Sequence, residues 1–245
     1  MTPWVRNLVL ANIVMYLVTM TFQGVANNLV FVPTLALARP WTLVTYMFLH
    51  ANLMHILFNM LGLYFFGSRV ESRLGSARFL GLYFVSGIAA AIASMIMSPR
   101  APIVGASGAV FGVLLAYARY WPRDQILIWF IPMEARIAVV VMAGLELVGF
   151  GGAGIAHFAH LGGFAGALVY LMWSDRTSSA ARFRARATTT PTRTTADLDR
   201  WNTIRTENLH PVNRQELERL RQKIATGGAS LLTPDERAFL DRMSS

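Results

Sequence analysis

The sequence contains no cysteine and few charged residues. Of its 245 residues none is Cys, and only 14% are Asp, Glu, Lys or Arg, whereas a soluble domain carries about a quarter. Without cysteine, disulfide bonds, thiolate catalysis and cysteine-ligated metal sites are excluded. The scarcity of charge, a hydrophobic content of 54% and a mean hydropathy of +0.44 together indicate a membrane protein that crosses the bilayer several times.

Acidic residues are outnumbered by basic ones, and the net charge is +9. A basic chain can bind nucleic acid, but the positions of these arginines are better explained as topology signals, so no nucleic-acid partner is expected. One side of the predicted membrane helices carries clustered arginines: Arg69, Arg73, Arg78, Arg119, Arg123 and Arg136. The opposite loops carry only Arg39 and Arg100. By the positive-inside rule, the protein is expected in the inner (cytoplasmic) membrane with both termini in the cytoplasm.

The hydropathy pattern predicts six membrane-spanning helices. The apolar segments are residues 5–22, 49–66, 79–97, 103–120, 126–148 and 157–173. The first is too long for a signal peptide and lacks a small-residue cleavage site, so it is expected to remain as a span. The predicted class is therefore an all-α membrane protein, with a membrane domain over residues 1–175.

The composition changes after residue 175. Residues 176–198 are rich in Arg and Thr and are predicted to form a linker. Residues 199–245 are predicted to form a small cytoplasmic hairpin of two short helices. Their start signals are Asn213 with Glu216, and Thr233 with Glu236.

Ser107 and His160 are the polar residues that most strongly indicate chemistry. Each lies near the start of an apolar segment, and ionisable groups at membrane depth are costly and tend to mark function. Serine and histidine are the minimum set for nucleophilic acyl transfer, because the imidazole takes the hydroxyl proton and returns it to the leaving group. Small-residue helix packing is the alternative explanation for Ser107.

The predicted topology brings further polar residues to the same membrane depth. Spans two, four and six all run from outside to inside, so His55 and Asn59 join Ser107 and His160 in the outer half. Gly163, three residues after His160, allows the sixth span to approach another helix closely. His55 and Asn59 are expected either to hydrogen-bond between helices or to supply donors for an oxyanion hole, with the Ser107 backbone N–H as a further donor.

The sequence favours non-catalytic roles for His157 and Glu146. His157 lies nearer the loop than His160 and is expected to be interfacial and dispensable. The pair of histidines has a spacing compatible with metal binding, but no third ligand accompanies them in the segment, so no metal or cofactor is expected. Glu146, near the outer end of the fifth span, is expected to be a structural or interfacial acid.

These motifs, taken in order, resemble the rhomboid family of intramembrane serine proteases. The resemblance covers about residues 1–175. The matching elements are His50-Ala51-Asn52-Leu53-Met54-His55-Ile56-Leu57-Phe58-Asn59, Glu71-Ser72-Arg73-Leu74-Gly75-Ser76, Gly105-Ala106-Ser107-Gly108, and His160 with Gly163.

The resemblance implies a bacterial six-helix bundle with a water-filled cavity open to the outside. It implies Ser107 as nucleophile and His160 as general base, in a dyad without a carboxylate. His55, Asn59 and the Ser107 backbone are implied as oxyanion stabilisers, and Gly105 and Gly163 as supporting residues.

Two positions depart from the family pattern. Many members carry Tyr one turn after the serine, packed on the catalytic imidazole, and this chain has Phe111 there. Stacking is expected to survive, without the hydroxyl. In the first long loop, Trp41-Thr42 replaces the Trp-Arg of many members, which affects loop anchoring.

Three functions are compatible with the sequence. The first is an endopeptidase that cleaves single-span or multi-span membrane proteins in the lipid bilayer, near the outer face. The second is a catalytically silent relative that binds transmembrane clients; such proteins typically lack the serine or the histidine, and this chain retains both. The third is a transporter, which is disfavoured because no inverted repeat is evident.

Overall fold

The computed structural model describes residues 1–128, 130–150, 156–177, 195–206 and 209–244. The chain divides into two compact units, Met1–Ser178 and Ser179–Ser245. In its described part, the first unit contains the helices α1 (Pro3–Thr21), α2 (Gln23–Leu29), α3 (Thr42–Thr45), α4 (Leu53–Gly62), α5 (Ser68–Leu74), α6 (Ser76–Met97), α7 (Ser107–Tyr120), α8 (Ala135–Leu147) and α9 (His157–Thr177). A π-helical turn at Leu63–Gly67 joins α4 to α5.

Three helical stretches among the described residues are long and apolar enough to cross a membrane. They are Pro3–Thr21, Leu53–Leu74 and Ser76–Met97, which overlap the first three predicted spans. Many of their large apolar side chains face outward; on α1, for example, Val14 and Leu17 are each 56% exposed. A water-soluble fold would bury such side chains, whereas a bilayer solvates them. The protein is therefore a multi-pass membrane protein.

The prediction of a fifth span over residues 126–148 is wrong for about the first third of that range. Instead of a helix over residues 126–148, the chain forms a hairpin of β1 (Gln125–Ile128) and β2 (Ile131–Glu134), with Ile128 opposite Ile131. Pro132 explains the difference, because proline cannot donate the backbone hydrogen bond that a helix interior requires. The isoleucines around it favour a strand. The all-α prediction therefore fails at this hairpin, and α8 has only 13 residues.

The fourth predicted span is also shorter than expected, because α7 begins at Ser107 and not at residue 103. The segment before it is held by the loop between α2 and α4, residues 30–52, which includes the short helix α3. Ile103 donates its backbone N–H to the Phe31 carbonyl, and Gly105 donates to the Tyr46 carbonyl, each at 2.9 Å. Non-helical backbone is tolerated at membrane depth where protein covers it and satisfies its hydrogen bonds.

That loop is anchored by its own hydrogen bonds. The Trp41 indole donates to the Asn28 carbonyl at 2.9 Å, and the Arg39 guanidinium donates to the Asn27 carbonyl at 3.0 Å. Arg39, two residues before Trp41, thus helps to anchor this loop, although Trp41 is followed by Thr42 and not by an arginine.

Small residues bring α9 against both α6 and α7. A Cβ added to Gly166 would lie 2.4 Å from the Ala89 Cβ on α6. On the neighbouring face of α9, a Cβ added to Gly163 would lie 2.1 Å from the carbonyl oxygen of Gly108 on α7. There is no room for a side chain at either contact, so the backbones themselves are packed together.

Glu71 anchors the beginning of α1. Its carboxylate accepts backbone hydrogen bonds from Trp4 at 3.2 Å and Val5 at 3.0 Å, and a hydroxyl hydrogen bond from Ser76 at 2.8 Å. The first N–H groups of a helix have no partner within the helix, and a carboxylate there also complements the helix dipole.

The second unit has its own apolar core. In the described residues it contains α10 (Thr195–Asn202), α11 (Pro211–Gly227) and α12 (Pro234–Met243). They pack around Trp201, Leu217, Leu220 and Leu240. The predicted two-helix hairpin thus omitted α10, which begins inside the predicted linker. Residues 178–194 of that linker lie outside the described residues.

The start of α12 was predicted correctly, and the start of α11 was not. Thr233 and Glu236 form the predicted capping box, in which the Glu236 carboxylate accepts from the Thr233 backbone N–H at 2.7 Å. Hydrogen bonds from Lys223 and from that N–H lower the pKa of Glu236 to about 2. By contrast, α11 begins at Pro211 with His210 as its N-cap, not at Asn213, because proline suits the first helical position.

Candidate active site

Ser107 and His160 form a direct hydrogen bond. Ser107 is the first residue of α7, and His160 lies in the first turn of α9. The distance from Ser107 Oγ to His160 Nε2 is 2.8 Å. The contact depends on the close approach at Gly163, one turn after His160, where α9 touches the α7 backbone. A hydroxyl and an imidazole at this distance have the geometry for proton transfer.

Glu146 contacts both histidines of α9. It lies in the last turn of α8, and its Oε1 is 2.8 Å from His160 Nδ1 while its Oε2 is 2.6 Å from His157 Nδ1. The three side chains are largely buried, with exposed fractions of 11% to 15%. Since an ionised carboxylate only accepts hydrogen bonds, both Nδ1 atoms carry the proton. In the neutral form of the His160 ring, this arrangement leaves Nε2 as an acceptor toward Ser107.

The position of Glu146 was not predicted, and neither was the buried position of His157. The implied dyad without a carboxylate is wrong as a description of the geometry, because a carboxylate bonds His160 on the side opposite Ser107. The available signal was an acid in an apolar segment with two histidines 11 and 14 residues later. The rotation of α8 relative to α9 decides whether these residues meet, and spacing alone does not give it.

Phe111 covers one face of the His160 ring. The two rings are stacked, with centroids 4.4 Å apart and planes inclined by 14°. Phe164 meets Phe111 edge to face, with the ring centroids 5.0 Å apart. The imidazole is thus confined by contacts at both nitrogens and on one face.

Gly105 brings the His55 imidazole beside Ser107. Its φ of +119° is a conformation that glycine adopts without strain. A Cβ at this position would lie 2.6 Å from His55 Cε1 and Nε2, and 3.7 Å from Ser107 Oγ. His55 Nδ1 faces the backbone N–H of Ala51 in a long contact of 3.5 Å. That contact favours the tautomer in which Nε2, on the Gly105 side, carries the proton.

Asn59 lies one turn after His55 on α4 and is buried. Its amide nitrogen donates to the His55 carbonyl at 2.9 Å. A primary amide has two hydrogens, so one donor is used within the helix and a second remains for another acceptor. Asn52 caps this helix, since its side chain accepts from the His55 backbone N–H at 2.9 Å.

In the part of the chain that the structure describes, no group of three or more His, Cys, Asp or Glu side chains is arranged to hold a metal ion. The histidines of α9 are engaged with the Glu146 carboxylate through hydrogen bonds.

The chain belongs to the rhomboid family. The family model described as the Rhomboid domain matches residues 37–174. Rhomboid protease GluP of Bacillus subtilis is 38% identical over 128 residues, which are 51% of this chain and 24% of GluP. The putative rhomboid protease YdcA of the same bacterium is 35% identical over 127 residues, or 51% of this chain and 63% of YdcA.

A plant relative aligns over more of the chain. RHOMBOID-like protein 12, mitochondrial, of Arabidopsis thaliana is 30% identical over 203 residues, which are 73% of this chain and 60% of that protein. The chain thus covers less than two thirds of the length of each of these relatives.

Proposed function

We propose that the protein is an intramembrane serine endopeptidase with Ser107 as nucleophile and His160 as general base. The observation that carries this proposal is the 2.8 Å hydrogen bond between Ser107 Oγ on α7 and His160 Nε2 on α9. Membership of a family with relatives named as proteases supports it.

In the proposed acylation step, Ser107 Oγ attacks the carbonyl carbon of the scissile peptide bond while its proton passes to His160 Nε2. The electron pair of the carbonyl moves to its oxygen, which gives a tetrahedral intermediate. When the intermediate collapses, the C–N bond breaks and Nε2 returns the proton to the leaving amine. Water, activated by the same imidazole, then hydrolyses the ester on Ser107.

Donors on α4 and α7 would stabilise the negative oxygen of the intermediate. His55 presents Nε2 on the Gly105 side, next to Ser107. The Asn59 amide has a second hydrogen besides the one that it donates to the His55 carbonyl. The backbone N–H of Ser107, at the first position of α7, is not needed within the helix. Such donors act mainly once charge has developed on the oxygen.

The proposed substrates are single-span or multi-span membrane proteins, cut near the outer face of the inner membrane. A peptide bond within a transmembrane helix is shielded by its hydrogen bonds, so the substrate must unwind locally before Ser107 can attack. Helix-destabilising residues near the cut would lower that cost. The proposed topology has six spans within residues 1–175, both termini in the cytoplasm, and a linker and helical module after residue 175.

The test is cleavage of a fluorogenic transmembrane substrate by the full chain reconstituted in liposomes. Ser107→Ala should abolish cleavage and labelling by a fluorophosphonate probe, because it removes the nucleophile but keeps a small residue at the helix contact. Ser86→Ala is the matched control, since Ser86 is buried on α6 and donates to the Leu82 carbonyl of its own helix. An active Ser107→Ala variant would refute the proposal. A wild-type protein that binds the substrate without cutting it would instead indicate a silent binding protein.

A further inference from the structure

We infer that Glu146 is a positioning residue that extends the Ser107–His160 pair to a serine–histidine–glutamate triad, and that His157 holds its carboxylate in place. This inference rests on the proposed protease function. It assigns a role to a side chain that the family resemblance does not include.

The geometry of the carboxylate is the first support. Each oxygen of Glu146 accepts from a different imidazole, at 2.8 Å from His160 and 2.6 Å from His157. Hydrogen bonds to an ionised acceptor are among the strongest that proteins make. Because two bonds from one helix turn fix both oxygens, the carboxylate cannot rotate away from His160.

The tautomer of His160 is the second support. Ser107 can give its proton only to an unprotonated Nε2, so the ring proton must lie on Nδ1. Glu146 makes that arrangement favourable, because it accepts from Nδ1–H and cannot donate. Without the carboxylate, Nδ1–H would be largely buried with its partner lost. The alternative tautomer would then become accessible, and it points a proton at Ser107 and blocks catalysis.

The charge of the intermediate is the third support. When His160 takes the serine proton it becomes an imidazolium, and Glu146 lies against its other nitrogen. Both side chains are largely buried, and opposite charges at this distance attract more strongly there than in bulk water. Glu146 itself keeps its charge throughout, so protons and electrons balance within the Ser107–His160 exchange described above.

His157 holds the second oxygen of Glu146 but is partly replaceable. A buried carboxylate oxygen without a partner is costly, which explains why a second imidazole faces it. His157 also lines a cavity of about 260 Å³ together with Ser94 and Ser98. Water entering through this cavity could hydrate the carboxylate in its absence. His157→Ala is therefore expected to lose about tenfold in kcat, in contrast to the sequence-based expectation that it is dispensable.

Steady-state kinetics in liposomes separate positioning from packing. Glu146→Gln keeps the shape of the side chain but offers one acceptor oxygen where two are needed. Its kcat should fall by about 10²- to 10⁴-fold, with KM within about twofold of wild type. In the His160→Ala background, the same substitution should cause little further loss. Glu134→Gln is the matched control and should retain full activity, because Glu134 lies at the end of β2 and accepts a hydrogen bond from Arg136 at the start of α8.

Chemical rescue tests the carboxylate directly. Glu146→Ala leaves space beside His160 Nδ1, and added formate should restore part of its kcat, because formate supplies a small carboxylate acceptor. Formate should not restore Ser107→Ala. A purely structural role for Glu146 predicts no such rescue.

The tautomer can be measured in the unsubstituted protein, so the test does not depend on the folding of any variant. Nitrogen-15 NMR of histidine-labelled protein should show His160 protonated at Nδ1. Protonation at Nε2 would overturn the inference, as would a folded Glu146→Gln variant with wild-type kcat or a change confined to KM. In those cases an inactive Ser107→Ala variant would still support the protease. An active Ser107→Ala variant would refute both the protease proposal and the inference about Glu146.

Discussion

At the scale of single residues, the His160 imidazole is constrained from three directions. Ser107 contacts Nε2, Glu146 contacts Nδ1, and Phe111 stacks on one face. An imidazole held in this way does not have to be reoriented before it accepts a proton. Preorganisation of a base lowers the barrier because its ordering cost is met when the protein folds.

The stacking of Phe111 should matter most when His160 is charged. An aromatic face stabilises an adjacent cation by about 0.5–2 kcal/mol. Phe111→Leu should therefore lower kcat by about 2- to 30-fold, with a small effect on KM. Phe111→Tyr keeps the ring and should stay within about twofold of wild type, which liposome kinetics can measure. Equal losses in both variants would show that the surrounding packing, and not the ring face, is important.

The oxyanion donors should affect turnover more than binding. Asn59→Ala should lower kcat by up to about 10²-fold, because the amide acts chiefly on the charged oxygen of the intermediate. His55→Ala should act in the same direction. A rise in KM with unchanged kcat in either variant would instead assign these side chains to substrate docking.

The sequence was sufficient to predict the Ser107–His160 pair and insufficient to predict Glu146. Gly163 after the histidine, and glycines around the serine, indicate helices in backbone contact, and that contact is what the hydrogen bond requires. Glu146 reaches His160 through the rotation of α8, a 13-residue helix that follows the hairpin. No periodic pattern in the chain specifies that rotation.

At the scale of elements, the faces of α9 are specialised by small residues. Gly162 and Gly166 meet α6, and Gly163 meets α7. Since α9 carries His160 and α7 carries Ser107, direct backbone contact sets the separation of the two helices that carry the proposed catalytic pair.

Gly163→Ala should separate α7 from α9 and abolish cleavage. The added Cβ would lie 2.1 Å from the Gly108 carbonyl oxygen, a backbone atom that cannot move without shifting α7. Gly144→Ala on α8 is the control, because its Cβ would meet nothing within 4 Å. Activity, fluorophosphonate labelling and thermal melting in detergent should all fall for the first variant and remain unchanged for the second. An active Gly163→Ala variant would show that α7 can slide without loss of the site.

The hairpin of β1 and β2 shows which sequence features misled the prediction of secondary structure. Apolar content over residues 126–148 favoured a helix, but Pro132 and the isoleucines beside it favour a strand, and the local preference prevails. The first and third predicted spans agree with α1 (Pro3–Thr21) and α6 (Ser76–Met97) to within three residues, whereas the second, 49–66, differs by up to eight residues from Leu53–Leu74.

At the scale of the whole molecule, the two units have separate apolar cores. The site residues lie in the first unit, Met1–Ser178, and the second is organised around Trp201. Independent cores allow one unit to fold without contributions from the other.

Truncation before Thr188 should therefore leave cleavage in detergent nearly unchanged. The removed residues include α10, α11 and α12 of the second unit, whereas the residues of the proposed site belong to the first unit. The comparison is kcat and KM of the truncated and full chains, with melting temperature as a check on folding. A truncated protein that folds but does not cleave would show that the second unit controls the site.

The segment before Ser107 is hydrogen-bonded to the loop between α2 and α4, and through that loop the proposed active site is linked to side chains that suit contact with lipid. That loop exposes Leu37 and Trp41, which are 96% and 51% accessible and suited to the headgroup region of a bilayer. It also carries Phe31 and Tyr46, whose carbonyls hold Ile103 and Gly105. The segment that leads into Ser107, the proposed nucleophile, is thus tied to a loop whose exposed side chains suit the membrane surface. We expect a thinner or thicker bilayer that displaces this loop to strain its hydrogen bonds to the segment before Ser107, so the rate of the proposed cleavage should depend on bilayer thickness.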